Sequence, residues 1–467
     1  MSKVVHWFRQ DLRLTDNPAL FEAIKIGKVL PIYILDEENA GDYKMGEASK
    51  IWLHYSLLSL NKSLDGKLLL LKGNPQQLIS QIVSEFKINN VFWNRCYEPW
   101  RTKRDKKIKN ILEKKDVNVN IHNGSLLWEP WQNLKDNGDP YKIFTPYYKK
   151  AYKTQNPRYP IAKPETINFA LVDATYHKID YLNLLPSKNW FNTLIGYWDI
   201  SEEGAMNLLY NFLENGVKNY KEGRNFPAKN NNSRLSPYLH FGQISPNQVW
   251  HEARFYDLDA NIENFCLELG WREFSFNLLY YFPHLPKKNL QPKFDTFPWN
   301  NKHGHLEAWK KGQTGYPIVD AGMRELWQTG FMHNRIRMVV GSFLVKNLLI
   351  HWHEGERWFW NCLVDADLAS NSASWQWVAG CGADAAPYFR IFNPITQGER
   401  FDIDGKYTKK YVPELAKLPN KYLFKPWEAP EKVLKTAGVD LGKTYPMPIV
   451  DIKQSRELAL SAYLSIK

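Results

Sequence analysis

The sequence predicts an α/β protein in which an N-terminal, Rossmann-like parallel α/β domain is followed by an all-α domain. Short apolar runs alternate with amphipathic stretches over roughly the first 125 residues, whereas strand patterns vanish from about residue 200 onward and helical periodicity dominates. Alternating strand and helix patterns indicate βαβ units and therefore a parallel sheet. The chain has 467 residues, which is long enough for two or three domains.

Each element of the N-terminal part follows from its own local pattern. The predicted strands are the apolar runs Val4–Phe8, Val29–Leu35, Leu68–Leu71, Val91–Trp93 and Val117–Ile121. The predicted helices are the amphipathic stretches Pro18–Ile26, Ala48–Leu64, Pro75–Phe86 and Thr102–Lys114. The first strand leads into Arg9–Arg13 and not into a GxGxxG turn, so this domain lacks the dinucleotide-binding fingerprint.

The rest of the chain divides into a connector and a helical part. We expect the α/β domain to cover residues 1–130, a connector 131–198, and the helical domain 199–467. The connector is rich in Pro, Asn, Lys and Tyr with weak periodicity, which favours a long loop with short helices. Helical periodicity then marks Ala205–Asn215, Ser245–Tyr256, Ile262–Tyr280, Gly322–Thr329, Arg335–Leu349 and Arg357–Leu363.

Composition narrows the function classes. The net charge of +12 favours a polyanionic partner, with nucleic acid first. The four Cys form no CxxC pair, which argues against a disulfide framework or structural zinc and suits a reducing compartment. The start has no signal-peptide core, and apolar runs such as Met338–Val345 are too short to span a membrane. We therefore expect a soluble cytoplasmic protein.

The densest motifs lie in the second half of the chain. They are Gly315–Arg324, Met332–Met338, Asp365–Asn371, Trp375–Trp377 and Asp384–Pro394, together with His6–Leu14 near the start and Ser233–Gly242 in the middle. In this order, over nearly the whole chain, the sequence resembles the photolyase/cryptochrome family, most closely class I-type bacterial photolyases that repair cyclobutane pyrimidine dimers. The resemblance implies that the helical domain binds FAD.

The resemblance also implies a reaction and its partners. Reduced, anionic FAD would be excited by blue light and pass an electron to a pyrimidine dimer flipped out of damaged DNA, with no net redox change. The protein would act as a monomer. A second, antenna chromophore is expected in the N-terminal domain. The segment Tyr97–Arg101 departs from the Asn-Glu pattern of some folate-binding members, which favours 8-hydroxydeazaflavin over methenyltetrahydrofolate.

Contacts to the dimer and to DNA follow from the same resemblance. Glu268 and Trp271 are three residues apart on a predicted helix and share a face, as do Asn334 and Met338 four apart. By resemblance, Glu268 hydrogen-bonds the thymine edges, while Trp271 and Trp377 form aromatic walls. The full set is Arg224, Glu268, Trp271, Arg272, Asn334, Arg335, Met338, Trp377 and Gln397, with Lys293 as a further backbone contact.

Contacts to the cofactor are implied in the same way. The set is Tyr220, Asn232, Ser233, Arg234, Leu235, Ser236, Phe265, Arg272, Asn334, Arg337, Asp365, Ala366, Asp367 and Asn371. Asn371 matches the position that faces the reactive nitrogen of the flavin, and Arg337 matches an ion-pair partner of Asp365. Asn232 stands where the family often has Thr, and Phe265 where some members have Trp. An electron relay would run through Trp375, Trp352 and Trp299.

Other interpretations remain open at this point. Taken alone, the Asn334 segment is also typical of an ordinary amphipathic helix, the two Asp of a solvated helix cap, and any of the 19 Trp of core packing. Within the family, the rivals are a cryptochrome photoreceptor and a (6-4) photolyase, whose members carry a His pair where this chain has His333-Asn334. A flavin- or nucleotide-binding module without catalysis is a third. The histidines at 303, 305, 351 and 353 lack metal-site spacing, so we expect no metal.

Overall fold

In the computed structural model, the N-terminal part forms a five-stranded parallel sheet and the remainder of the chain is helical. The structure describes residues 2–175, 178–187, 191–256, 259–300, 302–385 and 389–466. The predicted fold class is confirmed. Among these residues no helix is long and apolar enough to cross a membrane.

The sheet has the strand order β3-β2-β1-β4-β5, with all pairs parallel. The strands are β1 (Ser2–Phe8), β2 (Gly27–Leu35), β3 (Leu69–Lys72), β4 (Asn90–Asn94) and β5 (Asn118–His122). The helices between them are α1 (Pro18–Ile26), α2 (Glu47–Ser63), α3 (Pro75–Glu85) and α4 (Pro99–Glu113). This order reverses direction at β1, as in doubly wound sheets, and each predicted element is present within three residues of its expected bounds.

Local sequence explains where two of these helices begin. Asn17 accepts a hydrogen bond from the Leu20 amide and Pro18 follows it, while Asn74 accepts from the Gln76 amide and is followed by Pro75. An Asn cap followed by Pro satisfies a free amide and presets the first helical dihedral angle. The sheet then buries an apolar core that includes Val5, Trp7, Ile32, Val91 and Trp93.

The chain divides into two compact units. Unit 1 comprises Met1–Asn215, Ser233–Pro283 and Val364–Ala369, and unit 2 comprises Gly216–Asn232, His284–Leu363 and Ser370–Lys467. The expected domain boundaries at 130 and 198 stay a prediction.

Helices after the sheet follow in chain order. From the connector to Tyr281 they are α5 (Phe144–Thr154), α6 (Asn192–Ile195), α7 (Glu202–Asn211), α8 (Tyr220–Gly223), α9 (Ser236–Phe241), α10 (Pro246–Phe255) and α11 (Ala260–Tyr281). The next five are α12 (His303–Lys310), α13 (Pro317–Thr329), α14 (Asn334–Ser342), α15 (Trp352–Cys362) and α16 (Leu368–Ala379). The last five are α17 (Pro394–Phe401), α18 (Lys406–Tyr411), α19 (Asn420–Leu423), α20 (Glu431–Ala437) and α21 (Ile452–Leu464).

Several helical predictions differ from the structure. The helices expected over Gly322–Thr329 and Arg357–Leu363 begin five residues earlier, at Pro317 and Trp352, and the helix expected over Ala205–Asn215 ends as an α-helix at Asn211. The helix expected over Arg335–Leu349 ends as an α-helix at Ser342 and continues as a π-helical turn, Phe343–Asn347. The chain then turns at Leu349, which has a positive φ of 55°. The helix α16 was not predicted, because its residues have almost no amphipathic pattern.

A buried arginine joins three separate segments of unit 1. The Arg13 guanidinium is 1% exposed and donates to the carbonyl oxygens of Asp16 (2.7 Å), Gly124 (2.6 Å) and Gly242 (2.8 Å). Each of these oxygens would be left without this partner if the side chain were shortened. Leaving a buried polar group without a partner destabilises the folded protein by about 1–3 kcal/mol. Arg13 therefore contributes strongly to the stability of unit 1 by joining these three segments.

We therefore expect Arg13→Met to lower the free energy of unfolding by roughly 3–5 kcal/mol, because three buried carbonyl oxygens lose a donor. Urea unfolding of the purified protein measures this change. The matched control is Arg456→Met on α21, where the arginine is exposed and the change should be small. Equal effects of the two substitutions would contradict the role given to Arg13.

Candidate functional site

In unit 1, the predicted dimer-contact residues Glu268 and Trp271 lie on α11. Asp259 caps the start of this helix, and its carboxylate accepts from the amides of Asn261 and Ile262. The indole of Trp271 stacks on the ring of Phe144 from α5, with centroids 3.7 Å apart and planes 11° apart. This stacking fixes the plane of a half-buried indole, which suits an aromatic wall. Sequence reasoning missed Phe144, which lies in the weakly patterned connector.

The next two residues of α11 fasten a loop to the helix. Arg272 donates to the Ser125 carbonyl (2.8 Å) and pairs with Glu273 (3.0 Å). The Glu273 carboxylate accepts from the amides of Leu127 (2.9 Å) and Trp128 (3.2 Å). Burial raises the pKa of Glu273 to about 7, against the lowering effect of Arg272. Arg272, which was predicted to contact both the DNA and the cofactor, therefore has a clear structural role. The supporting role of Glu273 was not predicted from the sequence.

The two carboxylates predicted to lie by the cofactor are buried in unit 1. Asp365 accepts from the Ser236 hydroxyl at 2.6 Å, and Asp367 lies 3.5 Å from the His240 imidazole; Ser236 and His240 are both on α9. Each Asp is only 8% exposed. A solvated helix cap is thereby excluded, and the hydrogen-bonding carboxylates are built into the interior.

The remaining predicted cofactor contacts of unit 1 are part of its packing. Phe265 is buried and packs against Phe212, with ring centroids 4.7 Å apart. Arg234 has a positive φ of 53° and lies over the ring of Trp198. Leu235 and Ala366 are buried, and Ser233 is half-buried.

In unit 2, α14 carries four predicted contact residues, and its first turn is held in place by His333. The His333 imidazole accepts from the Arg335 amide, and its own amide donates to Glu325 of α13. Tyr407 donates its hydroxyl to the same Glu325 carboxylate at 2.7 Å. Asn334 is exposed, and Arg335, Arg337 and Met338 are half-buried.

Arg335 of this helix lies close enough to three other arginines for their charges to act on it. Arg335 donates to Asn225 and lies over the ring of Phe401, 4.4 Å from its centroid. Burial lowers the pKa of Arg335, and the positive charges of Arg224, Arg400 and Arg390 lower it further. The sequence predicted Arg224 and Arg335 as DNA contacts but missed Arg390 and Arg400. Arg335 with three arginines close enough to act on its charge forms a site suited to phosphate oxygens.

Three predicted contact residues of unit 2 have buried polar atoms that no protein group in the described residues satisfies. These atoms are Asn232 Nδ2, Arg335 Nε and Gln397 Oε1. Buried polar groups are nearly always hydrogen-bonded, so these atoms indicate a missing partner such as a ligand or water.

Asn371 on α16 is held by α15. Its amide nitrogen donates to the Glu356 carbonyl at 3.1 Å, and the Ser372 hydroxyl donates to the Glu356 carboxylate at 2.6 Å. This bond uses one of the two amide N–H groups, so Asn371 can offer its amide oxygen and its second N–H to a ligand. Burial raises the pKa of Glu356 to about 7, opposed by Ser372 and Arg357. Sequence reasoning missed Glu356.

The three tryptophans predicted to form the relay are arranged around α15. Trp375 packs against Gly355, where an added Cβ would lie 2.1 Å from the indole. Trp352 begins the same helix and donates its indole N–H to Asn289 at 2.9 Å. Trp299 contacts His351, which in turn contacts Trp352.

The remaining predicted residues of unit 2 differ in their exposure and in their contacts. Trp377 is half-buried and donates its indole N–H to the Asp384 carbonyl at 3.1 Å. Arg337 donates to the Met332 carbonyl at 2.7 Å. Tyr220 is buried beneath the Arg224 guanidinium, and Lys293 is exposed. The pairing of Arg337 with Asp365 stays a prediction, as do the ligand roles of all these residues.

The segment used to predict the antenna chromophore is tied to the α/β core. Tyr97 donates to Glu129 at 2.9 Å, and Arg101 pairs with Glu98 at 3.2 Å. Beside it, Arg104 bridges Asp36 and Asp105. These buried charges line the carboxyl ends of the strands.

Glu356 makes the stability of the protein depend on pH. Its pKa is raised on folding, so the folded state binds its proton more tightly, and the stabilisation is lost as pH rises from about 4.5 to about 7. We expect this loss to reach roughly 3 kcal/mol relative to Glu356→Gln, which keeps an oxygen for Ser372 but cannot ionise. Urea unfolding of both proteins at about pH 5 and pH 8 measures it. Parallel changes in the two proteins would show that Glu356 does not titrate in this range.

Comparison with known proteins assigns the chain to a family. Residues 4–165 match the family model described as DNA photolyase, and residues 265–465 match the FAD binding domain of DNA photolyase. The chain is 47% identical to the deoxyribodipyrimidine photo-lyase of Agrobacterium fabrum, over 99% of this chain and 98% of that protein. It is 37% identical to cryptochrome-2 of Arabidopsis thaliana, over 98% of this chain and 78% of that protein.

A solved structure gives the same answer. The fold matches the bacterial class III photolyase from Agrobacterium tumefaciens with a TM-score of 0.96 and 46% identity, covering 100% of this chain and 98% of that one. The predicted resemblance is thus confirmed at the level of the family, while the expected class I type stays a prediction. With its matched domains, its near-complete coverage and its fold, the chain belongs to the photolyase/cryptochrome family.

Proposed function

We propose that this protein is a deoxyribodipyrimidine photo-lyase that binds damaged DNA as a cytoplasmic monomer and splits cyclobutane pyrimidine dimers under blue light. The observation that carries the proposal is the similarity along 99% of the chain to a protein of that name. The site geometry supports it, because α11 presents Glu268 and a rigidly held Trp271 on one helix face.

The residues fit FAD. Buried Asp365 and Asp367 are acceptors for a ribose or flavin donor, and Asn371 offers an amide oxygen to a ring N–H. The unsatisfied Asn232 Nδ2 is a donor suited to a phosphate oxygen. The resemblance adds Tyr220, Arg337 and the Ser233–Ser236 loop to this set. When bound in its reduced form, FAD supplies the light-driven electron that breaks the two bonds of the dimer and then receives it back.

The chain's own residues bind and orient the substrate. The guanidinium groups of Arg224, Arg335, Arg390 and Arg400 neutralise backbone phosphates without reading sequence, which suits a repair enzyme. A dimer is poorly stacked in the duplex, so its extrusion is easier than that of a normal pair. Trp271 then stacks on one side of it, and the Glu268 carboxylate accepts from the thymine N–H groups. Because Phe144 already holds the Trp271 ring, little freedom is lost on binding.

The tryptophans serve a separate step. Trp375, Trp352 and Trp299 pass an electron inward when the cofactor is oxidised, so that light restores the active reduced form. Repair by an already reduced enzyme does not need them. The Glu356 backbone and carboxyl group keep Asn371 and Ser372 in place on the same pair of helices.

A second chromophore is part of the proposal. It would lie in the N-terminal domain and collect light for the FAD, as 8-hydroxydeazaflavin or methenyltetrahydrofolate. The ion pairs of Arg104 with Asp36 and Asp105 at the strand ends do not distinguish the two compounds. Reconstitution with each compound decides between them.

The rival within the family is a cryptochrome photoreceptor, favoured by the 37% identity to cryptochrome-2. The (6-4) photolyase is the other rival, and there Asn334 stands where a second His is expected. Both rivals predict bound FAD without repair of a cyclobutane dimer.

We expect the photoreduced protein to repair an oligonucleotide carrying one thymine dimer in blue light and not in the dark. Recovery of the ultraviolet absorbance of the separated thymines measures repair. Glu268→Ala should bind the damaged oligonucleotide roughly tenfold to a hundredfold more weakly, since a hydrogen bond to a carboxylate contributes about 1.5–3 kcal/mol.

The matched control is Glu263→Ala, an exposed glutamate on the first turn of α11, which should repair like the wild type. If FAD is bound and reduced but no dimer is split, the proposal is wrong. The (6-4) photoproduct is then the next substrate to test.

A further inference from the structure

His351 lies between the last two tryptophans of the proposed relay. Its ring centroid is 5.0 Å from that of Trp299 and 5.7 Å from that of Trp352. The neighbouring imidazole of His353 is 4.6 Å from His351 and 3.8 Å from Trp352. Two indoles and two imidazoles therefore form one continuous set of ring contacts in unit 2.

The backbone holds this set in register. Leu349 adopts a positive φ of 55°, and its carbonyl accepts from the Asn300 amide at 2.6 Å, which pins the segment carrying Trp299 beside His351. His351 is the N-cap of α15, and its Nδ1 accepts from the His353 amide at 3.2 Å. This hydrogen bond uses the lone pair of Nδ1, so it exists only while the imidazole is neutral.

The surroundings favour the neutral ring. Burial lowers the pKa of His351, Glu354 raises it and Arg357 lowers it. Burial also lowers the pKa of His353 to about 4, with His351 and Arg357 adding to the effect. The Arg357 guanidinium donates a hydrogen bond to the Glu354 carboxylate and forms an ion pair with it. The groups that act on His351 are thus His353, Glu354 and Arg357 on α15, and the Trp299 indole from the preceding segment.

We propose that His351 is a positioning residue for the last step of the relay, permitting electron transfer from Trp299 to oxidised Trp352 as a neutral imidazole and blocking it as an imidazolium. In this step one electron moves from Trp299 to Trp352. Trp352 returns to a neutral indole and Trp299 becomes a radical cation, and no bond or proton is exchanged. An added thiol later returns the electron to Trp299 and is itself oxidised. This inference rests on the proposed relay.

The direction of the pH effect follows from linkage. A positive charge on Trp299 in contact with His351 opposes protonation of the imidazole, and by reciprocity an imidazolium opposes the positive charge by the same factor. Protonation also removes the acceptor that caps α15. Protonation of His351 therefore opposes the proposed electron transfer in two ways, through its positive charge and through a change in the position of its ring.

Flash photolysis of the protein loaded with oxidised FAD, with a thiol present, tests the inference. The rate constant for oxidation of Trp299, read from the transient absorbance of the indole radical, should fall several-fold as the pH is lowered through the range below the ordinary histidine pKa of about 6.5, because the pKa of His351 is itself lowered. In His351→Asn the rate constant should not change over this range, since Asn caps a helix but does not titrate. The matched control is His303→Asn on α12, an exposed histidine, which should keep the wild-type pH profile.

A second readout needs no cofactor. In FAD-free protein, an imidazolium in contact with an indole quenches its fluorescence, so acid should quench the wild type more than His351→Asn. Replacing both indoles that contact His351, by combining Trp299→Phe with Trp352→Phe, should remove most of this difference. A wild-type pH profile in His351→Asn by both readouts would overturn the inference. If Trp299→Phe photoreduces as fast as the wild type, the relay assignment falls and the inference with it. If Trp299→Phe abolishes the radical while His351→Asn still responds to acid, only the inference falls.

Discussion

The packing of α15 against α16 is the constraint on which the proposed chemistry of unit 2 depends. The Trp375 indole lies directly on Gly355, at a distance that no residue with a side chain allows. One residue further along α15, Glu356 receives both Asn371 and Ser372 from α16. This helix pair therefore fixes the position of the amide proposed to face the flavin and of the first indole of the proposed relay. Through Trp352 and His351, the same pair also positions the contact with Trp299.

In unit 1, the side chains proposed to contact the dimer are held in place by other contacts. The indole of Trp271 is held by stacking on Phe144, and the residues after it, Arg272 and Glu273, bind a loop to the same helix. In both units the supporting group is a glutamate whose pKa burial raises to about 7. Buried carboxyl groups of this kind hold their neighbours by hydrogen bonds, and the protein's stability consequently varies with pH near neutrality.

Much of the fold could be predicted from the sequence, because short apolar runs and helical periodicity are local patterns. The site was predicted only through a resemblance, and the ligand roles of its residues stay predictions. What the sequence could not show were supports made by contact between distant segments: Phe144 under Trp271, Glu356 under Asn371, and Arg390 and Arg400 beside Arg335. No local pattern marks such pairs, and α16 itself has no amphipathic signal because neither of its faces is polar enough to contrast with the other.

A double-mutant cycle on Gly355→Ala and Trp375→Leu tests the helix packing most directly. Replacing Gly by Ala inside a helix normally stabilises it by about 1 kcal/mol. Here the free energy of unfolding should instead fall by roughly 1–3 kcal/mol, since the new methyl group meets the indole. In the Trp375→Leu background the same change should be harmless or stabilising, giving a coupling energy of about 1 kcal/mol or more. If the two effects add, Gly355 and Trp375 do not constrain each other, and the arrangement of the relay must rest on other contacts.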